Sequence, residues 1–442
     1  MEDNVGKTVP KRIATTILNA LRGGVVPRIG LEYIAVGRTQ EINALLHDVD
    51  IIQDGGAAFR FIVGRYGSGK SFLLQTMRNH MMDRGFVVVD ADLSPERRFS
   101  GTKGQGLATY KELMQNMSTR TKPDGGALPL ILEKWISTIQ SEVAQSLSAE
   151  APDFDKQVKK RVYGAVNEIE GMVNGFDFAN VILRYLDYYK AGDDVGKTNV
   201  LRWFRGEYSN KSEARLGLGV NFVISDENWY DFVKLFAVFL VKAGYKGLLV
   251  IVDELVNIYR IPYRVTRQYN YEKILTMYND VLQGKARHLG ILMSGTPQTI
   301  EDGDKGIYSY DALRSRLTES KFSVEGMKDL LAPVIRLEPL SYEEMFVLIE
   351  KLAYLHAGLY EYELGIADDE YLFFLKAEYE RIGSGSHITP REVIRDFIEI
   401  LNILYQNPES KISDILSKGG FTFAKSAGES VFEDDEFADF EV

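Results

Sequence analysis

The densest chemistry in the chain lies between Phe59 and Ser71, FRFIVGRYGSGKS, where an apolar strand pattern breaks at Gly64 into a glycine-rich turn ending on Lys70 and Ser71. Binding a triphosphate takes many amide donors curved around its oxygens, a cation for the β and γ phosphates, and a hydroxyl for Mg²⁺. Gly64, Gly67 and Gly69 let the backbone wrap that closely, Lys70 brings the ammonium and Ser71 the metal ligand. Candidate nucleotide contacts therefore run through Gly64, Arg65, Tyr66, Gly67, Ser68, Gly69, Lys70 and Ser71 to Phe72. A helix predicted from Ser71 to about Arg84 starts at the turn, so its N-terminal dipole faces the anion. A plain glycine-rich hairpin would have no need of that helix.

A second signal is KGLLVIVDEL, residues 246–255, an uninterrupted apolar strand closed by Asp253 and Glu254. Strands of a parallel sheet buried on both faces have this composition, and ligands bind where they end. Asp253 is the candidate Mg²⁺ ligand, acting through water, and Glu254 the group that orients or deprotonates an attacking water; the bland alternative is an acid pair capping a buried strand. LGILMSG, 289–295, ends on Ser294 with Thr296 just beyond, and these are candidates to sense the γ-phosphate. FVVVD, 86–90, completes a β-α-β unit with the first strand. Asp90 and Asp92 at its end read either as acids near the nucleotide or as solvated loop acids. Ahead of the glycine turn, Gly37 and Arg38 precede Thr39, an N-cap, and a helix with Ile42, Leu45, Leu46 and Val49 inward. That segment either walls the base of a nucleotide or merely packs.

The elements that must position these groups alternate strand and helix, with a fifth strand expected at 333–337, but residues 100–245 leave the alternation. There the periodicity predicts helices near 104–121, 129–147, 154–172, 177–190, 198–208 and 226–243, a large helical insertion. Within it, 201–215 mixes Arg202, Arg205, Lys211 and Arg215 with Trp203, Phe204 and Tyr208, which suits single-stranded nucleic acid or an amphipathic helix with solvated ends. Between the third and fourth strands, Arg260, Arg264 and Arg267 interleave with Tyr259, Tyr263, Tyr269 and Tyr271. This stretch reads as a loop, facing nucleic acid, solvent or another subunit. Residues 308–317 form a short amphipathic helix with Arg314 and Arg316. An N-terminal helix is expected at 11–22, and a small helical domain from Leu340 at 341–356, 368–381, 390–404 and 409–417. Arg391, just inside a helix that opens on Thr389 and Pro390, is misplaced for the helix dipole and so a candidate for an external anion.

Composition bounds the rest. With 442 residues, 45% hydrophobic and 26% charged, the chain is globular with two or three domains. It has no cysteine, and its five histidines offer no paired-ligand spacing, so thiolate and zinc sites are not expected. No apolar run approaches a membrane span and the N-terminus lacks the core of a signal peptide, which predicts a cytoplasmic protein. The net charge of −11 opposes wholesale coating of nucleic acid but allows a local basic site. Residues 427–442 hold seven acids and no bases, an acidic tail expected to be disordered, with Phe432, Phe437 and Phe440 as docking points or none at all.

Taken together, the glycine turn on strand 1, Asp253-Glu254 on strand 3, a polar end to strand 4 and a helical lid resemble the AAA+ branch of P-loop ATPases, nearest in pattern to origin-recognition initiators. The resemblance implies a three-layer αβα sandwich with a parallel sheet of order 5-1-4-3-2, and ATP and Mg²⁺ held between the α/β core and the lid. It implies a core of 59–99 and 246–338, the insertion at 100–245, a lid at 339–426, and a base-lining segment at Gly37 and Arg38 within 1–58. It further implies a first sensor at Ser294 or Thr296, a trans-acting arginine at Arg314 or Arg316, and a second sensor at Arg391.

More narrowly, the blocks VPRIGLEYIAVGR, FRFIVGRYGSGKSFLLQ, DADLSPERR, GYKGLLVIVDEL and SGTPQTIEDGDKGIYSYDALRSRL are similar to the BrxD-type ATP-binding proteins of bacteriophage-exclusion (BREX) defence systems, over about residues 10–405. That similarity implies an ATPase that assembles into a ring or partial ring and acts on DNA beside an Lhr-like helicase, as its loader or remodeller. A nucleotide-dependent signalling switch, in which hydrolysis only resets the state, is the competing reading; a kinase is a poorer one, since no acceptor pocket is visible.

Overall fold

The computed structural model describes residues 9–318, 329–382 and 389–417. The acidic tail lies outside them. Among the described residues, Ala57–Val63 (β1), Val87–Asp92 (β2), Leu248–Asp253 (β3), Leu289–Gly295 (β4) and Val334–Arg336 (β5) form one sheet, in the order β2-β3-β4-β1-β5. Every pairing is parallel. Read from the other edge, this is the expected order 5-1-4-3-2.

Strand periodicity explains why helices cover both faces. Phe59, Phe61 and Val63, with Val87, Val89, Val250, Val252, Ile291 and Met293, point into one core. Ile62, Val88, Leu249, Ile251, Leu292 and Ile335 point into another, against Ile42, Leu45, Val49 and Ile52 of the helix Thr39–Gln53 and Leu73, Met77 and Met81 of the helix Lys70–Asp83. Residues fully buried on both sides account for the unbroken apolar runs in the sequence. A buried bidentate pair ties the layers: Arg60 donates to both oxygens of Asp48 at 2.7 Å, and to the Leu331 and Ala332 carbonyls at 2.5 and 2.6 Å.

The chain divides into two compact units, one of residues 38–65 and 73–337, the other of 9–37, Tyr66–Phe72 and the described residues from 338 on. The first carries the sheet and the helices between β2 and β3. The expected helix at 104–121 ends at Gln115, because Ser118 turns back and exchanges backbone bonds with Val88, covering the β2 edge. The helix Lys211–Leu218 was not expected; Asn210 caps it by accepting from the Glu213 amide at 2.9 Å. A larger correction concerns 259–284, expected as a loop. Most of it is a nineteen-residue helix, Arg264–Leu282. In the second unit the helix Lys11–Arg22 buries Ala14, Ile17, Leu18 and Leu21 in one core with Leu348, Ile349, Leu352, Val393, Phe397 and Leu401 from Tyr342–Tyr360 and Pro390–Gln406.

Candidate functional site

Adjacent strands β3, β4 and β1 all run the same way, so their carboxyl ends share one edge of the sheet. Backbone bonds stitch those ends together: the Gly64 amide donates to the Gly295 carbonyl at 3.2 Å, and the Leu255 amide to that of Ser294 at 3.1 Å. Asp253 closes β3, half-buried. Its Oδ1 accepts from the Glu254 amide at 2.8 Å and from the Ser294 hydroxyl. Glu254 follows in the left-handed region at φ 63°, unusual for a side-chain-bearing residue, and is exposed.

Ser294 is fully buried and spends its hydroxyl on Asp253. That bond orients the Asp253 carboxylate from the end of β4. Thr296, half-buried at the start of the helix Pro297–Glu301, shares a hydrogen bond with Thr299 at 3.0 Å and is the more accessible hydroxyl of the two. Asp92, which pairs with Asp253 in the sheet register, keeps an exposed flank, yet its carboxyl is pushed up to about 6. Loss of surrounding solvent is the first cause, followed by the charges of Asp253, Asp90 and Glu254. Asp90 is committed elsewhere: Arg78 donates to it at 3.2 Å.

The glycine turn continues in the second unit. Gly67 and Gly69 sit at φ 77° and 92°, where any side chain would be strained. A Cβ on Gly67 would stand 2.8 Å from the Thr389 Cβ, whereas one on Gly69 would meet nothing within 4 Å. Ser68 is buried, while Arg65 and Tyr66 are exposed. Lys70 opens the helix Lys70–Asp83, with Ser71 in its first turn, where backbone amides have no intrahelical partner. Phe72 packs into the lid core. Arg391 lies over the Tyr66 ring, 4.9 Å from its centroid, and donates to the Tyr66 hydroxyl at 2.5 Å. No spacing in the sequence announces this pair, whose members stand 325 residues apart.

The remaining candidates are placed as follows. Gly37, at φ 65°, has the Glu344 carboxylate 2.7 Å from where a Cβ would stand. Arg38 forms a largely buried ion pair with Glu41 at 3.9 Å. Arg314 and Arg316 are exposed on the helix Asp311–Leu317, and their Nε groups donate to the Tyr308 carbonyl at 2.6 Å and Asn279 at 3.2 Å. The two basic-aromatic stretches come apart. In 201–215, Trp203, Phe204 and Tyr208 are buried while Arg202 and Arg205 pair with Glu213 and Glu207, so that stretch is an amphipathic packing surface. In 259–271, Arg267 and Tyr271 are buried and Arg260, Tyr263, Arg264 and Tyr269 are exposed.

These residues suit a magnesium nucleotide. In one unit two left-handed glycines, with open space at Gly69, form a backbone cradle beside the Ser71 hydroxyl; in the other, Asp253 is a hard oxygen donor of the kind Mg²⁺ takes. The crowded carboxylates that raise Asp92 are a charge imbalance that a divalent cation relieves.

The features define a class: an α/β protein built on a five-stranded parallel sheet. The chain belongs to a family of ATP-binding proteins of a defence system, since the family model described as BREX system ATP-binding protein BrxC/D matches residues 9–419. Among proteins of curated function, none matches. Among the described residues, no helix is long and apolar enough to cross a membrane.

Proposed function

We propose that the protein hydrolyses Mg-ATP as an AAA+-type P-loop ATPase, at a site completed by a neighbouring subunit, and uses the cycle to load or remodel a partner helicase on DNA. The observation that carries the reading is the end of β3, where Asp253 is fixed by two donors and Glu254 is turned outward beside it in a strained backbone state. Carboxylates held this way, in a chain that also carries a phosphate-binding turn, suit hydrolysis better than storage of ATP.

Mg²⁺, when bound, supplies positive charge against the triphosphate. Ser71 and Asp253 would hold it. Lys70 neutralises the β and γ phosphates, and the loop from Gly64 to Ser71 surrounds them with amides. Glu254 takes a proton from the attacking water at its carboxylate. Thr296, with its accessible hydroxyl, serves as the first sensor, and Arg391, leaving Tyr66, as the second. Arg314 or Arg316, exposed on their helix, reaches the site of the next subunit. In this scheme 59–99 and 246–338 form the catalytic core and 339–426 the lid, with assembly in the cytoplasm as a ring or partial ring.

The test is ATP turnover combined with a mass measurement under ATP. Glu254→Gln should retain ATP while turnover falls about 10² to 10⁴-fold. Loss of the trans-acting arginine should cost about 10³ to 10⁵-fold. A monomer as fast as the assembled form, with Arg314→Ala and Arg316→Ala both unchanged, would sink the shared site. Turnover indifferent to DNA, with tightly held ADP, would favour the signalling switch.

A further inference from the structure

Six residues beyond Glu254 the surface changes character. The short helix Val256–Tyr259 leads into a corner at Arg260–Tyr263 and then into the helix Arg264–Leu282. Tyr263, Val265 and Tyr269 are 76%, 60% and 58% exposed there. Arg260 and Arg264 stand exposed among them, and neither guanidinium makes an ion pair among the described residues. The neighbouring loop sets Lys305 against Asp302 and Asp304, and Glu272 lies farther along the helix. The acids of the neighbourhood thus leave the two guanidinium groups displayed but unpaired among the described residues.

What lies beneath is rigid. Arg267, 5% exposed, donates to the Ile261 carbonyl at 2.6 Å and fixes the corner. Asn270, fully buried, accepts from the Phe99 and Ser100 amides at 2.9 and 3.0 Å. Tyr271 donates to the Lys305 carbonyl at 2.6 Å, and Tyr259 to Asp302 at 2.8 Å. Tyr259, Arg267 and Tyr271 build a scaffold, and Arg260, Tyr263, Arg264 and Tyr269 are displayed on it. Rings held out on a preorganised support lose little freedom on binding.

We propose that Arg260, Tyr263, Arg264 and Tyr269 form a binding surface for single-stranded nucleic acid. Unpaired bases offer ring faces that the tyrosines can stack on, and guanidinium groups grip the phosphates between them. A duplex hides its base faces and would leave both tyrosines idle; an acidic peptide would use the arginines alone. Tyr263 precedes the helix and Tyr269 lies in its second turn, so each ring can take a separate base. The surface is joined to the proposed water-activating carboxylate by five residues, of which Leu255 is buried and bonded to the end of β4. Occupancy of the corner therefore biases the Glu254 backbone. The coupling rests on the ATPase reading, while the binding does not.

The test is fluorescence anisotropy of a labelled twenty-nucleotide oligo-dT with the full chain, with and without ATP. Tyr263→Ala and Tyr269→Ala should each weaken binding about tenfold, and the Phe variants should restore it because the stacking face is kept. Arg260→Ala with Arg264→Ala should lower the slope of log affinity against log salt by about 1.4, from two lost phosphate contacts. Circular dichroism checks that the variants remain folded. Unchanged oligo-dT binding in both sets, tighter binding of a duplex regardless of the tyrosines, or equal competition by polyglutamate would each overturn the proposal. Oligo-dT binding through the corner with no change in ATP turnover would leave the surface standing and remove the coupling.

Discussion

The Ser294 hydroxyl separates two accounts of the site, because a sensor meets the γ-phosphate whereas a positioning group acts through Asp253. In the fold the residue is fully buried and its hydroxyl donates to Asp253 Oδ1. A hydrogen bond to a charged group contributes about 1.5–3 kcal/mol. Asp253 keeps its bond from the Glu254 amide at 2.8 Å, so Ser294→Ala loosens the carboxylate without releasing it. With the Glu254 amide still holding the carboxylate, a loss of about 1.4 kcal/mol, just below that range, corresponds to about tenfold in metal affinity. Turnover at saturating ATP, titrated with MgCl₂, should show half-saturation shifted up about tenfold, with most of the rate recovered at high Mg²⁺. Nucleotide binding in EDTA should stay within about twofold, because that measurement bypasses the metal. Ser294→Cys, with a weaker donor, should fall between. An unchanged Mg²⁺ dependence together with a rate that no Mg²⁺ concentration restores would refute the positioning role and return Ser294 to the phosphate.

Three other outcomes follow from the packing. Asp48→Ala strands the buried Arg60 guanidinium and should cost about 3–5 kcal/mol, read as a lower urea midpoint, while Asp48→Leu with Arg60→Met should recover much of it. Gly69→Ala forces a left-handed alanine at about 1 kcal/mol, but Gly67→Ala also collides with Thr389 and should lower the melting temperature of the nucleotide-free protein further; equal effects would remove that contact from the account. His356, buried with its ring against the Tyr362 hydroxyl at 2.9 Å, is held below its ordinary 6.5 by loss of solvent, opposed by Asn402. The unfolded chain then binds more protons than the fold just below pH 6.5, so stability is full above that value and falls as pH drops toward the depressed value. His356→Asn should flatten this limb of a melting-temperature profile; a profile as steep as before would assign it to another group.

How far the sequence carries depends on whether a partner lies nearby in the chain. The strand-turn-helix from Ala57 to Asp83 and the strand ending at Asp253 were legible because their apolar runs and terminal residues are local signals. The helix Arg264–Leu282 was not, because its inner face carries Arg267 and Asn270 beside Tyr271, Ile274 and Met277. Polar residues satisfied by distant carbonyls and amides erase the hydrophobic period that marks a helix. The same mixture made 201–215 look like a nucleic-acid stretch until Trp203 and Phe204 turned inward. Ser294 reads as a sensor for want of its partner, 41 residues away, and the Tyr66–Arg391 contact spans most of the chain. Asn210 followed three residues later by Glu213 was a visible helix start, and only its eight-residue length hid it.

The N-terminal helix Lys11–Arg22 has a history that follows from its packing. Its stripe of Ala14, Ile17, Leu18 and Leu21 finds cover on residues from Met345 to Leu401. A ribosome adding about 5–20 residues per second brings those partners out on the order of tens of seconds after the stripe itself. Through that interval each large side chain of the stripe forgoes about 1.5–3 kcal/mol of burial, and a chain stopped before Met345 would carry it bare indefinitely. Translation arrest between Arg336 and Met345 should therefore produce a product that chaperones retain and proteases clear, although its parallel sheet is complete.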